Sequence, residues 1–223
     1  MAKKLRIGIY GGTFNPVHYG HLRTAEEVFE MLSLDRILFV PSGITPFDKP
    51  DLADPASRYK MVKAAIRDNP GFRISDVEVK AGGRSYTVDT LRKLRDKYKA
   101  SELFFIIGID AFLDLPGWKQ PDELIDLANM VIISRPGYKF IDLSTSPYLK
   151  SVARTTLKEL DRGVRNEAVF DISEEQKGHL CNVTALNISA SGIRKLIRAG
   201  RNIKYLLPDS VKSYIISNKL YSK

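Results

Sequence analysis

The 223-residue sequence predicts an α/β fold, a doubly wound parallel sheet with helices on both faces, and three observations predict it. Short β-branched or aromatic runs alternate with longer segments of helical apolar spacing, which is the rhythm of βαβ units. The run from Leu103 to Ile109 is apolar at nearly every position, as expected of a central strand buried on both faces. The first strand ends on a glycine pair that leads directly into a helical segment. With 43% hydrophobic and 27% charged residues the composition is that of an ordinary globular chain, and the length suits one domain over residues 1–223 with room for an insertion.

The elements follow in order. Leu5 to Tyr10 reads as a strand ending at Gly11 and Gly12, and Leu22, Ala25, Phe29 and Leu32 then recur at helical spacing. Arg36 to Val40 is a second strand, stopped by Pro41, and Ser57 to Arg67 is a helix with Val62, Ala65 and Ile66 on one face. A strand is expected over Phe72 to Val79, a helix from Thr87 to Tyr98, and the central strand from Leu103. Met130 to Ile133 is a further strand, closed by "SRPG". Tyr138 to His179 is polar and partly helical, so residues 138–179 are expected to form the insertion. A strand at Asn182 to Leu186 leads into "NISASGIRKLIRAG", where Ile193, Leu196 and Ile197 share a helix face and Gly200 sits at the stop position. In such sheets ligands bind at the carboxyl ends of the strands, where the strand order reverses. That singles out the loops at Gly11, Pro41, Gly108, Ser134 and Ser189.

Composition excludes several classes. One cysteine, Cys181, rules out an internal disulfide framework and points to a reducing compartment. The longest apolar run, Leu103 to Ile107, falls far short of the roughly 20 residues that a membrane-spanning helix needs. The N-terminal "MAKKLRIGIYGG" lacks a cleavage site and does not read as a signal peptide. A cytoplasmic protein without membrane contact is expected. The net charge of +9 suggests an anionic partner, but the densest basic clusters, Arg92 to Lys99 and Arg194 to Arg201, lie on helical segments and read first as solvated faces.

The stretch "GGTFNPVHYGH", Gly11 to His21, holds two of the three histidines. Gly11 and Gly12 let a ligand approach the backbone closely. Pro16 disfavours helical geometry at Asn15, so the helix cannot begin before about His18, and His21 falls in its first turn. Free N–H groups and the positive end of the helix dipole make that turn attractive to phosphate, and the histidines add donors. The stretch is neither the Gly-x-Gly-x-x-Gly pattern nor a Gly-Lys-Ser/Thr loop. A zinc set of His18, His21, His179 and Cys181 is the weaker alternative, because structural zinc motifs have tighter paired spacings. Ser189 and Ser191 stand where the later helix starts, with Arg194 one turn in. Serine there is ordinarily a cap, yet with the arginine it also describes a second anion cradle.

"GGTFNPVHYGH" together with "ISASGIR" resembles the two signature motifs of adenylyltransferase-type nucleotidyltransferases, and among them the bacterial nicotinate-nucleotide adenylyltransferase family. "SYTVDTL" at 85–91, "GID" at 108–110, Trp118, "ISRPG" at 133–137 and "YLLPDSV" at 205–211 follow in the family's order, so the resemblance spans nearly the whole chain. The His-x-x-His form favours the pyridine-nucleotide branch. Two departures stand out. "TPFDK" at 45–49 replaces Pro-Pro-His-Lys and puts Asp48 where a histidine is frequent, and Ala190 replaces a frequent serine.

The resemblance implies a Rossmann-like sheet of nucleotidyltransferase type. It also implies adenylyl transfer from ATP to nicotinate mononucleotide with Mg²⁺, yielding the dinucleotide and pyrophosphate in NAD biosynthesis. By the same resemblance His18, His21 and Arg194 are catalytic, binding the ATP phosphates with Ser189 and Ser191. Gly11, Gly12 and Thr13 admit the nucleotide, and Asp110 accepts hydrogen bonds from its ribose, where a helix N-cap is the plain alternative. Thr87, Trp118, Lys49 and Arg135 serve the mononucleotide, with Trp118 stacked on the pyridine. No protein cage for a metal is expected. Preference for nicotinamide mononucleotide is the nearer alternative and a basic nucleic-acid-binding module the more distant one, although no nucleic-acid motif is present. Homo-oligomer formation is left open.

Overall fold

A computed structural model describes residues 4–45 and 51–222. In chain order its elements are β1 (Arg6–Gly12), α1 (Tyr19–Met31), β2 (Arg36–Pro41), α2 (Pro55–Ala65), β3 (Phe72–Ile74), α3 (Thr87–Lys97) and β4 (Glu102–Gly108). There follow α4 (Ile109–Leu113), α5 (Pro121–Leu127), β5 (Asn129–Ile133), α6 (Arg154–Asp161), β6 (Glu167–Asp171), β7 (Lys177–Cys181), α7 (Ala190–Arg198) and α8 (Asp209–Ser217). Short 3-10 turns lie at Leu115–Gly117 and Phe140–Thr145. The seven-stranded sheet has the order β3-β2-β1-β4-β5-β7-β6. Every pairing is parallel except that of β6 with β7.

The expected fold class is the observed one, and β4 shows why. Leu103, Phe105 and Ile107 enter one core cluster while Phe104 and Ile106 enter the other, so the strand is buried on both sides between β1 and β5. One cluster is covered by Val88, Leu91 and Leu94 of α3, Leu124 and Ile125 of α5, and Leu157 and Leu160 of α6. The other is covered by Ala25 and Val28 of α1, Met61 and Val62 of α2, Ile193 of α7, and Val211 and Ile215 of α8. Each fully buried aliphatic chain contributes roughly 1.5–3 kcal/mol.

Two expectations are revised. The strand expected over Phe72 to Val79 stops at Ile74. The backbone turns there (Lys80 N–H to Asp76 O, Ala81 N–H to Glu78 O) and sends the Glu78 carboxylate inward to accept from Gly43 N–H and Thr90 Oγ1. The strand expected at Asn182 to Leu186 lies instead at Lys177–Cys181. Beyond it, side chains take the backbone groups that a ladder would use: Ser134 Oγ bonds both N–H and C=O of Val183 at 2.9 Å, and Glu27 accepts from Thr184 N–H. Within residues 138–179, the Phe140–Thr145 turn and α6 pack on the core, whereas β6 and β7 extend the sheet beyond β5.

β1 is followed by β2 on one side, and β4 continues on the other. The carboxyl ends of β1 and β4 therefore flank the switch point. Among the described residues no helix is long and apolar enough to cross a membrane.

Candidate active site

The loop after β1 is set by Phe14 and Pro16. Phe14 adopts φ +47° and buries its ring against Tyr10, Phe39 and His21. His18, with extended backbone (φ −149°, ψ 171°), is the N-cap of α1, and His21 is the third helical residue, in keeping with a helix that starts only beyond the Asn15–Pro16 turn. The two imidazoles lie 3.8 Å apart, tilted by 31°. The His18 backbone N–H donates to His21 Nδ1 at 3.3 Å, which fixes neutral His21 as the tautomer with a free Nε2–H. Burial lowers the pKa of His18 to about 4, with Arg135 adding to the effect. His21 is held well below the usual histidine value by burial, then by His18 and Arg135. Both rings are thus neutral donors at physiological pH, and His18 Nδ1 is buried without a partner.

The second cradle lies against the first. Ser189 caps α7, its Oγ accepting from Gly192 N–H at 3.1 Å and lying 3.3 Å from Ser191 Oγ. One turn on, Arg194 Nη1 donates to the carbonyl of Asn15 at 2.9 Å, while its buried Nε has no partner. The arginine of the later motif is therefore fastened to the glycine–histidine loop itself. The Glu27 bond to Thr184 ties the chain entering α7 to α1.

Asp110 occupies the first turn of α4, whose N-cap is Gly108, so the plain capping alternative is not what is observed. Its Oδ2 pairs with Arg135 Nε at 3.3 Å and its Oδ1 is buried and unpartnered. A Cβ at Gly108 would lie 2.5 Å from that oxygen, so the missing side chain makes room for the carboxylate. Trp118 follows the Leu115–Gly117 turn, half-buried against the core. Its neighbour Lys119 sits over the Tyr86 ring at 4.7 Å and pairs with Asp89 at 2.8 Å. The Trp118 loop is thus held at the N-terminus of α3, where Thr87 is the first helical residue and Tyr86 provides no side-chain cap. Lys49 and Asp48 lie outside the described residues.

The zinc set is not assembled. His179 pairs with Glu167 across the β6–β7 ladder at 3.1 Å, and Cys181 lies in the core with its thiol pKa pushed up by burial. Among the described residues no three His, Cys, Asp or Glu side chains group to hold a metal.

Sequence reasoning passed over Arg58 and Asn15. Arg58, 1% exposed, donates to the carbonyls of Ala53, Thr13 and Gly43 and to Ser42 Oγ, fastening the loops after β1 and β2 to each other. Its signal was available: Met61, Val62 and Ala65 extend back to position 58 at i, i+3, i+4 and i+7, so a charge stands at an inward position. Asn15 lies inside the quoted motif, but only the fold reveals its bonds.

Residues 9–196 match the cytidylyltransferase-like family, and the chain belongs to that family. Within it, the chain is 42% identical over 228 residues to the "Probable nicotinate-nucleotide adenylyltransferase" of Geotalea daltonii, covering 98% of this chain and 99% of the relative. The protein of the same name from Citrifermentans bemidjiense is 40% identical over 227 residues, covering 97% and 98%. Plasmodium falciparum nicotinic acid mononucleotide adenylyltransferase, solved in complex with NaAD, shares the fold at a TM-score of 0.72 and 21% identity over 97% of each chain.

Proposed function

We infer that this protein transfers the adenylyl group of ATP to nicotinate mononucleotide, forming nicotinate adenine dinucleotide and pyrophosphate for NAD biosynthesis. The observation that carries the reading is the junction of the two cradles, with Arg194 bonded to the loop that bears His18 and His21. The full-length relatives supply the substrate pair.

A phosphate oxygen of the mononucleotide attacks the α-phosphorus, and the bond from that phosphorus to the bridging oxygen of pyrophosphate breaks. The attacking oxygen is already ionised at neutral pH, so no general base is required. The residues contribute position and charge stabilisation. In the proposed assignment His21 directs its Nε2–H at the α-phosphate, His18 stands beside it, and Arg194, Ser189 and Ser191 hold the β- and γ-phosphates. Gly11, Gly12 and Thr13 admit the nucleotide, and the orphaned Oδ1 of Asp110 accepts from the ribose. Thr87 and the uncapped start of α3 meet the nicotinate carboxylate, Trp118 stacks on the pyridine, and Lys49 reaches the mononucleotide. Arg135 meets the mononucleotide, and its ion pair with Asp110 at 3.3 Å brings the guanidinium beside the end of β4.

Mg²⁺ is proposed to arrive with ATP as part of the substrate. The site offers imidazole, guanidinium and hydroxyl donors, which suit phosphate oxygens, so phosphates and water carry the cation. When bound it neutralises charge on the departing pyrophosphate. We further propose that residues 1–223 act as a single domain and that the reaction is cytoplasmic, which the lone Cys181 and the use of ATP support.

Pyrophosphate release, measured with ATP and each mononucleotide in turn, tests the reading. Faster release with nicotinate mononucleotide is expected. Preference for the amide would move the assignment to the neighbouring substrate, and release with neither would overturn it.

A further inference from the structure

Asn15 is 4% exposed and has every polar atom of its side chain engaged by separate parts of the chain. Its Nδ2 donates to the carbonyl of Asp51 at 2.9 Å. Its Oδ1 accepts from Ala53 N–H at 3.0 Å and from the phenol of Tyr221 at 2.7 Å. Its main-chain carbonyl receives Arg194 Nη1 at 2.9 Å. The Asp51 carboxylate in turn accepts from Arg198 Nη1, one turn beyond Arg194 on α7. Tyr221 lies beyond α8, far from the loops at the switch point in sequence, and nothing in the proposed chemistry calls on it.

We propose that Tyr221 is a positioning residue for the ATP-phosphate cradle: by pinning the Asn15 side chain it fixes the carbonyl on which Arg194 rests. The Asn15 amide has two acceptor directions on Oδ1, and Tyr221 and Ala53 fill both. With the phenol present, the residue cannot rotate without breaking three side-chain bonds, so the carbonyl keeps one direction and Arg194 one rotamer. The guanidinium then presents its remaining N–H groups to an anion already oriented, which lowers the ordering cost on binding. Burial pushes the phenol pKa up, opposed by Arg194 and Arg58, so the hydroxyl stays protonated and remains a donor at the pH where the enzyme works.

The inference rests on the reading that Arg194 binds ATP phosphates, and a double-mutant cycle separates the two. ATP dissociation constants are measured by calorimetry for the wild type, Tyr221→Phe, Arg194→Ala and the double variant, with thermal midpoints recorded for all four. Arg194→Ala should weaken ATP strongly. Tyr221→Phe keeps the ring and should weaken ATP about fivefold, equivalent to about 1 kcal/mol, while leaving the thermal midpoint within about 2 °C and the mononucleotide affinity nearly unchanged. In the Arg194→Ala background the same substitution should have almost no effect, because its route to the ligand has been removed. An unchanged ATP constant in Tyr221→Phe, or an effect that multiplies with that of Arg194→Ala, would overturn the positioning role while leaving Arg194 in place. A lowered midpoint with both substrates weakened alike would also overturn it, marking Tyr221 as a plain structural contact. If Arg194→Ala itself leaves ATP binding intact, it is the Arg194 assignment that fails.

Discussion

The stacked histidines make acid sensitivity of the free protein a calculable property. His18 is 6% exposed, and its pKa falls from 6.5 to about 4 on folding. The unfolded chain therefore binds a proton at this residue more readily than the folded one between those two values. Stability from this source is fully present above about pH 6.5 and is lost as the pH falls toward 4. At pH 5 the loss from His18 alone is about 2 kcal/mol. Replacing His18 with asparagine removes that term and relieves the repulsion that lowers His21, while leaving the carboxylates to titrate alike in both proteins. Urea unfolding at pH 7.5 and pH 5.0 should show the wild type losing ground to the variant. With a slope of about 2 kcal/mol per molar urea, the difference between their midpoints should change by about 1 M. If that difference is the same at both pH values, His18 is not held neutral by burial and the electrostatic account of the site is wrong.

Other outcomes follow from the same geometry. His21→Ala should lower kcat by about a hundredfold, as expected for one donor to charge that grows in the transition state, with the fold retained by circular dichroism; a near-normal kcat would remove His21 from the α-phosphate. Trp118→Ala should raise KM for the mononucleotide about tenfold with little change for ATP, and Trp118→Phe should retain much of the affinity because a stacking face persists. If both variants lower the melting temperature and leave the KM values alone, Trp118 serves only the core it touches. Gly108→Ala would drive a methyl against Asp110 Oδ1, which lies 2.5 Å from the position of its Cβ. It should cost about 1–3 kcal/mol and raise KM for ATP; an unchanged thermal scan would mean the carboxylate has room to move.

Much of the architecture was legible because it is written in local periodicity. The unbroken apolar run of β4 and the i, i+3, i+4 faces of α1, α2, α3 and α7 each mark burial directly, and Pro16 fixed the start of α1 to within a residue of its observed position. The errors fall where side chains compete with the backbone ladder. Glu78 turns the chain after β3, and Ser134 with Glu27 claims the groups of Val183 and Thr184. No local pattern encodes those partners, since each lies on a different element. The site divides the same way. His18, His21, Ser189 and Arg194 stand out by type and spacing, and the resemblance named Asp110, Thr87 and Trp118. Arg58, Asn15 and Tyr221 exert themselves through bonds between segments and become visible only in three dimensions.

The bond between Arg194 and Asn15 joins positions 179 apart in a chain of 223 residues. Contacts of such separation form late, because the intervening chain must first give up its loop entropy. During synthesis the histidine loop can take shape beside β1 and β2 while its counterpart has yet to emerge. Catalytic competence is then a property of the finished molecule alone, and in a refolding experiment the return of pyrophosphate release should trail the return of helical signal, timing the closing of the chain on itself.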